Sequence, residues 1–504
     1  MTATPNDAAD TIDAPAAGVA HAVPHAVPPL PPGPSTSLEP GPDAPHETPP
    51  AVRPGPAFVP PHPEPQTRPL STLQLLRRVY SNPLEVWGSF SYERPTVDVT
   101  WWGIRTVVVN DPKLIRQVLV TKAANYPFGS IRQRILRPIL RDGLLTAEGD
   151  VWRRARKAMA PVFTPASIRG FAGTMRSESF DFIRRYEGRE TTDVAHDMTE
   201  LTYDIMAATL FSGEIAGEPG QFAAEIETLF DTMGRTDPLD IFGAPSWVPR
   251  PTKLRGRGTL DFFRSIVRRT VDERRAAMAS GADVPRDFLT LLLEAEANGG
   301  LQSDEVEDNI ITFIGAGHET TARALGWTLY CLAESEWDRE QVEAEIDAAW
   351  DTLGAPETWI DSLPRTRAAF EEAMRLYPPA PTIAREAKEA DRLGDIDITP
   401  GTAIQVMPWT LHRHRKLWDE PNAFRPERFW PDAREGIDRF QYLPFGAGPR
   451  VCIGQTFAMW EGVIALAVLL RHYRFDTYRH ERPWPVQRLT TQPEGGLPMR
   501  VTKR

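Results

Sequence analysis

From about residue 70 onward, apolar positions recur at helical spacing in blocks punctuated by Pro, Gly, Asp and Ser. These blocks predict helices over 150–160, 166–187, 193–211, 219–233, 258–280, 286–297, 303–334, 338–352, 364–377 and 453–471. Strand signals are sparser. Residues 97–110, rich in Val, Thr and Trp around Gly103, predict a short hairpin, and further strands are expected near 383–388, 403–409 and 488–501. Asp111 stands where an N-cap belongs, with Pro112 in the first turn, so a helix should start there. No internal repeat of fixed period is present. The expectation is a mainly α fold with a smaller β-rich part.

The 303–334 block differs from the others. Ser303 is placed to cap it, and its middle, IITFIGAGHETTARALGWTLYCLA, is apolar on nearly every face, as a helix running through a protein interior must be. At 1.5 Å per residue it would span about 50 Å, the breadth of a large domain. Its centre nevertheless holds Gly315, Gly317, His318, Glu319, Thr320 and Thr321, which weaken a helix and are costly to bury without partners. A segment shaped by stability alone would not carry them, so a site is expected at this point.

Composition sets the outer limits. Residues 1–69 are dominated by Pro and Ala, with runs such as VPPLPPGPSTSLEPGP, and are expected to form a disordered or polyproline-like tail, an inert extension or a tether. Residues 70–504 then form the functional domain. With 41% hydrophobic and 25% charged residues, the 504-residue chain can bury a large core. A formal net charge of −11 argues against a general nucleic-acid binder, which needs concentrated Lys and Arg. The two cysteines, Cys331 and Cys452, are too few for a disulfide framework and fit a reducing, cytoplasmic setting. No apolar run of about 18 residues and no basic-then-apolar leader occurs, so neither a membrane span nor a secretory signal is expected.

The two cysteines sit in different surroundings. Cys331 lies on the apolar 303–334 helix and reads as a small buried hydrophobe. Cys452 closes a glycine-rich turn in FGAGPRVCIG, residues 445–454, at the start of a helical pattern. Backbone N–H groups and the positive end of a helix dipole would favour a thiolate there. Gly446 and Gly448 would let the loop turn tightly against a flat cofactor, with Phe445 beside it, and Arg450 would reach an anionic group at the cofactor's edge. One cysteine offering one axial ligand suits haem, whereas structural zinc or an iron–sulfur cluster needs several nearby ligands.

Together with three further motifs in order, this segment resembles the cytochrome P450 family. Trp152 and Arg156 form W-x-x-x-R, AGHETT occupies 316–321, and Glu372 and Arg375 form E-x-x-R ahead of FRPERF with Arg428. The motifs run from 152 to 454, and the general layout extends the resemblance from about 70 to the C-terminus. It implies a P450-like fold with the long central helix over haem b (iron protoporphyrin IX), Cys452 as the iron ligand, and Trp152, Arg156 and Arg385 on the propionates. It also implies a Glu372–Arg375–Arg428 network that secures the haem site. His412 would be either a surface histidine or a further propionate contact.

The activity implied is monooxygenation. Dioxygen is activated with two electrons and two protons, and one oxygen atom enters a C–H bond or double bond of an apolar small molecule. Thr320 would hydrogen-bond the oxygen or a water, and Glu319 would relay protons or else form a structural salt bridge. Gly317 would leave room for oxygen in a locally opened helix. The substrate pocket is expected to include residues 126–136, Phe313, Ala316, Thr382, Ile383 and residues 490–491; the linker 237–253 would line an entrance or simply pack in the core. Because the chain ends about 50 residues after Cys452, a separate ferredoxin or flavodoxin with its NAD(P)H-dependent reductase is expected to supply electrons. Arg153, Arg154, Lys157, Arg413, Arg415 and Lys416 would either attract that acidic partner or remain ordinary solvated charge. A monomer is expected. Peroxide-driven haem-thiolate chemistry and a non-catalytic haem sensor are the competing functions, and an intact Glu319–Thr320 pair argues against both.

Overall fold

The computed structural model describes residues 53–504 apart from Trp102, 216–224, 226–227, 229–236, Phe242, 245–247, 249–250 and 479–481. Most of the helix expected over 219–233, all but Glu225 and Thr228, and the aromatic residues Phe242 and Trp247 of the 237–253 linker therefore lie outside the described residues.

The central helix runs unbroken over Ser303–Glu334. Its cap is Gln302, one residue before the expected Ser303, because Glu305 reaches back to accept the Gln302 backbone N–H at 2.9 Å. Helices Val194–Leu210, Pro251–Ala279, Pro364–Leu376 and Gln455–His472 pack around it. Its apolar side chains, Cys331 among them, belong to the main core cluster. Trp327 stacks on Tyr377 with centroids 3.8 Å apart. On its other side the Thr202 hydroxyl donates to the His318 carbonyl at 2.9 Å. No local opening occurs at Gly315–Gly317, so the expected opened helix is absent from this conformation.

A four-stranded mixed sheet lies beside the helices. The hairpin Thr96–Trp101 and Ile104–Val109 turns at Gly103, whose φ of 79° suits a residue without Cβ. Ile104–Val109 then pairs in parallel with Ala403–Val406, which pairs antiparallel with Ile383–Glu386. Alternation along that last strand sends Ile383 and Arg385 to the same face. A smaller pair, Pro485–Gln487 and Thr491–Pro493, presents its connecting turn to the interior, and Thr191–Asp193, Pro498–Lys503 and Tyr473–Thr477 form a third sheet.

Two stretches depart from the sequence expectation. Residues 53–69, assigned by composition to the tail, pack on the domain. Arg53 forks between Asp338 and Glu427, Phe58 edges onto Tyr330, and the Pro61 carbonyl accepts the Tyr377 hydroxyl at 2.7 Å. Specific side-chain anchors hold this non-periodic segment, and periodicity does not register them. Residues 126–136, expected as a loop, include the first half of helix Ser130–Leu140. Its arginines and Pro138 mask the apolar face that buries Leu136, Ile139 and Leu140.

The turn after that helix is pinned to the central helix. Asp308 Oδ2 accepts from the Asp142 N–H at 3.3 Å, and Asn309 Oδ1 accepts from the Leu144 N–H at 2.9 Å. Gly143 sits between, so close that a Cβ would collide with Thr312 Oγ1 and stand 2.6 Å from the Asp308 carbonyl oxygen. The Thr312 hydroxyl is itself held by that carbonyl at 2.7 Å and has little room to yield. Gly143→Ala should therefore destabilise the protein by about 1–3 kcal/mol, the scale of overpacking a tight site. A thermal melt unchanged by the substitution would show that the two segments can separate freely.

Candidate functional site

The core encloses a cavity of about 610 Å³ whose lining is overwhelmingly apolar. Most residues expected at a cofactor or substrate position line it: Trp152, Arg156, Phe313, Ala316, Glu319, Thr320, Thr382, Ile383, Arg385, Phe445, Arg450 and Cys452 do, whereas Tyr126, Thr491 and His412 do not. The fold thus brings together positions 300 residues apart.

One wall is the glycine-rich loop. Gly446 and Gly448 both hold positive φ, 69° and 74°. A Cβ on Gly448 would collide with the Leu119 carbonyl, which belongs to a wide π-type turn, Gln117–Thr121. The Cys452 N–H donates to the Phe445 carbonyl at 2.9 Å, closing the loop, and helix Gln455–His472 starts two residues beyond the expected 453. The Cys452 side chain opens onto the cavity. Burial by the surrounding protein pushes its thiol pKa up, opposed by the Gly454 N–H and by Arg156. A bound metal ion would invert that balance and hold the thiolate.

Guanidinium groups gather at one edge. Arg385 lies 4.8 Å and Arg450 4.6 Å from the Phe128 ring centroid, and Arg450 also covers Trp152 at 4.1 Å. Arg156 Nη1 donates to the Val451 carbonyl at 3.0 Å, tying the W-x-x-x-R helix to the cysteine loop. A fourth member, Arg132, lies 4.0 Å from the Phe128 ring centroid; sequence reasoning missed it. It sits in the arginine-rich run SIRQRILR, where nothing marks one arginine over its neighbours. Burial, then mutual repulsion, lowers Arg385 to about 9 and Arg132 to about 10, so both stay charged at neutral pH. Glu148 balances this charge only in part: it is the salt-bridge partner of Arg450 and accepts the Phe128 N–H at 3.0 Å. A flat, apolar group with two carboxylates at one edge would supply what this arrangement lacks, and haem has that chemistry. Among the described residues no cluster of three or more His, Cys, Asp or Glu could hold a metal ion without such a cofactor.

The opposite wall is the central helix. The Thr320 hydroxyl donates to the Ala316 carbonyl at 2.9 Å. Glu319 is nearly inaccessible, accepts the Thr490 hydroxyl at 2.8 Å and lies 3.6 Å from Arg323. In this conformation the carboxylate has the structural engagement that the sequence left open beside a relay. His318 points away from the cavity toward Tyr203, and burial lowers its pKa to about 4. Thr490 lines the cavity, whereas Thr491 is fully buried against the Pro378 carbonyl, and the Tyr126 hydroxyl is spent on Asp391 at 2.6 Å. Glu461, also missed, is wholly buried beside Thr321, and burial holds its carboxyl well above the usual range. An acidic residue inside WEGVIALAVLL was the available signal.

The E-x-x-R pair is fully buried. Arg375 forks onto Glu372 at 2.7 and 2.8 Å, and Arg428 approaches the same carboxylate at 3.5 Å.

A profile for the cytochrome P450 family matches residues 61–498. The chain belongs to the cytochrome P450 family. It is 30% identical to cyclooctatin synthase of Streptomyces melanosporofaciens over 392 residues, 77% of this chain and 83% of the relative. It is also 30% identical to pentalenene oxygenase of Streptomyces avermitilis over 438 residues, 86% and 94% of the two chains. Protein LUTEIN DEFICIENT 5 of Arabidopsis thaliana is 28% identical over 418 residues, 79% of this chain and 70% of the relative. The protein is thus a haem-thiolate monooxygenase of the P450 family, a family that uses redox partners and small-molecule substrates.

Two sequence readings need correction in this P450. His412 is neither a surface residue nor near the arginine edge: it is fully buried, with both ring nitrogens bonded to backbone. The basic docking set is also smaller than its charge suggests. Arg413 is buried 3.8 Å over the Trp409 ring, Arg153 pairs with Asp150, Arg154 with Glu305 at 2.6 Å, and Arg415 with Glu93. Of that set, Lys157 and Lys416 are exposed and stand in no ion pair among the described residues. No described helix is long and apolar enough to cross a membrane.

Proposed function

We propose that this P450 binds haem b through Cys452 and oxygenates an apolar, hydrocarbon-rich small molecule, with electrons from a ferredoxin- or flavodoxin-type protein. The observation that carries the substrate class is the cavity lining: Ile135, Leu140, Phe163, Leu210, Phe263 and Phe313 leave few polar groups to satisfy on a ligand. Pentalenene, named in one relative, is the kind of compound meant. Arg132, Arg156, Arg385 and Arg450 hold the propionates, with Trp152 and Phe445 as apolar contacts, while Glu372, Arg375 and Arg428 keep the cysteine loop in place. Bound haem supplies the dioxygen activation and oxygen-atom transfer. Phe313, Ala316, Thr382 and Ile383 orient the substrate and exclude water. The Thr320 hydroxyl exchanges its Ala316 bond for one to a water, and the Glu319 carboxyl, released from Thr490, passes protons to that water.

The deciding experiment titrates the haem-loaded protein with pentalenene and other apolar ligands and follows the low- to high-spin change in its absorption spectrum. Saturable shifts with hydrocarbons, and none with polar or anionic analogues of the same size, are expected. The reverse preference would sink the substrate class. Glu319→Gln and Thr320→Ala should leave that binding intact, yet cut product per electron consumed by about 10- to 100-fold as peroxide rises, because proton transfer by a positioned group is worth at least that much. Unchanged coupling in both variants would remove them from the chemistry. Reduction by an acidic ferredoxin should slow as salt rises, and Lys157→Glu should remove most of that dependence.

A further inference from the structure

His412 stands between two parts of the molecule that have to keep register. Its carbonyl accepts Arg375 Nη1 at 2.6 Å, so the residue is already tied to the E-x-x-R helix through its backbone. The buried ring then reaches in two directions. Nε2 accepts the Leu443 backbone N–H at 2.8 Å and therefore carries no proton, which places the proton on Nδ1, 3.2 Å from the Arg375 carbonyl oxygen. The Tyr442 ring packs alongside at 5.3 Å. Burial and the adjacent Arg375 charge keep the imidazole neutral, holding its pKa well below the usual histidine value.

Leu443 begins the cysteine loop. Its carbonyl accepts the Gly446 N–H at 3.2 Å, and the Phe445 carbonyl accepts the Cys452 N–H at 2.9 Å. An unbroken hydrogen-bonded path therefore runs from Arg375 through the His412 ring to Leu443, and from there through one loop turn to the Cys452 backbone. Other side chains bond within the loop's outer part, as Arg156 does at Val451, but the His412 ring holds its first residue.

We propose that His412 is a positioning residue that sets where the cysteine loop, and with it the Cys452 sulfur, stands relative to the Glu372–Arg375 anchor. The proposal rests on Cys452 being the axial ligand. Phenylalanine at this position fills the space and makes neither ring bond; glutamine offers an amide oxygen to the Leu443 N–H.

The test compares wild type, His412→Phe and His412→Gln, each loaded with haem, reduced and exposed to carbon monoxide. In His412→Phe the fraction with a thiolate-type absorption band should fall relative to the non-thiolate form by roughly 3- to 10-fold, the shift expected from loss of the buried bond to Leu443, the one of the two ring bonds that reaches the loop. On heating, that band should disappear while the far-ultraviolet helix signal is still intact, and His412→Gln should restore most of it. Three results would overturn the proposal: a thiolate band as strong in His412→Phe as in wild type, loss of the band only in step with the helix signal, or failure of both variants to fold. A wild-type protein without the thiolate band would instead refute the ligand assignment itself.

Discussion

Cys452→Ser is expected to abolish oxygenation while leaving the fold in place. The substitution is nearly isosteric, and the loop is closed by backbone bonds that serine retains, from the Cys452 N–H to Phe445 and from the Val451 N–H to Gly448 at 3.0 Å. Unfolding free energy should thus change by no more than about 1 kcal/mol. Haem affinity and turnover should fall further than the roughly 10- to 100-fold that loss of an outer partner costs a metal site, because here the ligand itself is removed. Cys452→His sharpens the test. The imidazole keeps a ligand in reach, so the carbon monoxide complex of the reduced protein should change from a thiolate-type to an imidazole-type spectrum while haem stays bound. If Cys452→Ser retained a thiolate-type band, another sulfur would have to be the ligand, and the remaining cysteine, Cys331, is fully buried in the main core cluster. That outcome would dismantle the site described above.

Parts of this molecule could be read from its sequence because the features responsible are local or ordered along the chain. The extent of the central helix, Ser303–Glu334, was legible with its cap one residue off, since a run apolar on nearly every face has one stable solution in a large domain. The motif residues Trp152, Arg156, Glu319, Thr320, Phe445, Arg450 and Cys452 line one cavity, and they were legible because motifs in fixed order constrain each other far more than any one does alone. Arg132 was not legible: its importance comes from Phe128, which gathers three guanidiniums around one ring, and that is a tertiary fact. His412 was misread for the complementary reason. In LHRHRKLW the charged residues suggest a solvated surface, yet the chain folds so that His412 and Arg413 turn inward against backbone carbonyl and aromatic rings while Arg415 and Lys416 face out. The 53–69 segment shows the same limit, since the Arg53 fork, the Phe58 ring and hydrogen-bonded carbonyls at Phe58, Pro61 and Gln66 outweigh an unstructured composition.

Removing Arg375 should have the largest effect on stability of any single change in the chain. The guanidinium is fully buried and spends itself completely. It forks onto Glu372 and donates to the His412, Pro421 and Ala423 carbonyls at 2.6, 2.7 and 2.9 Å, with the Trp418 ring 5.0 Å away. Arg375→Ala leaves the buried Glu372 carboxylate with Arg428 at 3.5 Å and the Arg425 N–H at 2.8 Å, and it leaves three carbonyls without this donor. Breaking a buried ion pair from one side costs about 3–5 kcal/mol, and each orphaned acceptor adds to that. Against a total stability of about 5–15 kcal/mol, the variant should be largely unfolded or trapped as aggregate at 37 °C. Arg375→Lys should recover little, because an ammonium cannot span the carboxylate and three carbonyls in one plane. The double variant Glu372→Leu with Arg375→Leu should be less damaging than Arg375→Ala, since no uncompensated charge remains in the core. Denaturant unfolding followed by circular dichroism measures all three. A loss below about 1 kcal/mol in Arg375→Ala would mean that water or Arg428 can replace the guanidinium, and the cysteine loop would then need an anchor other than this network.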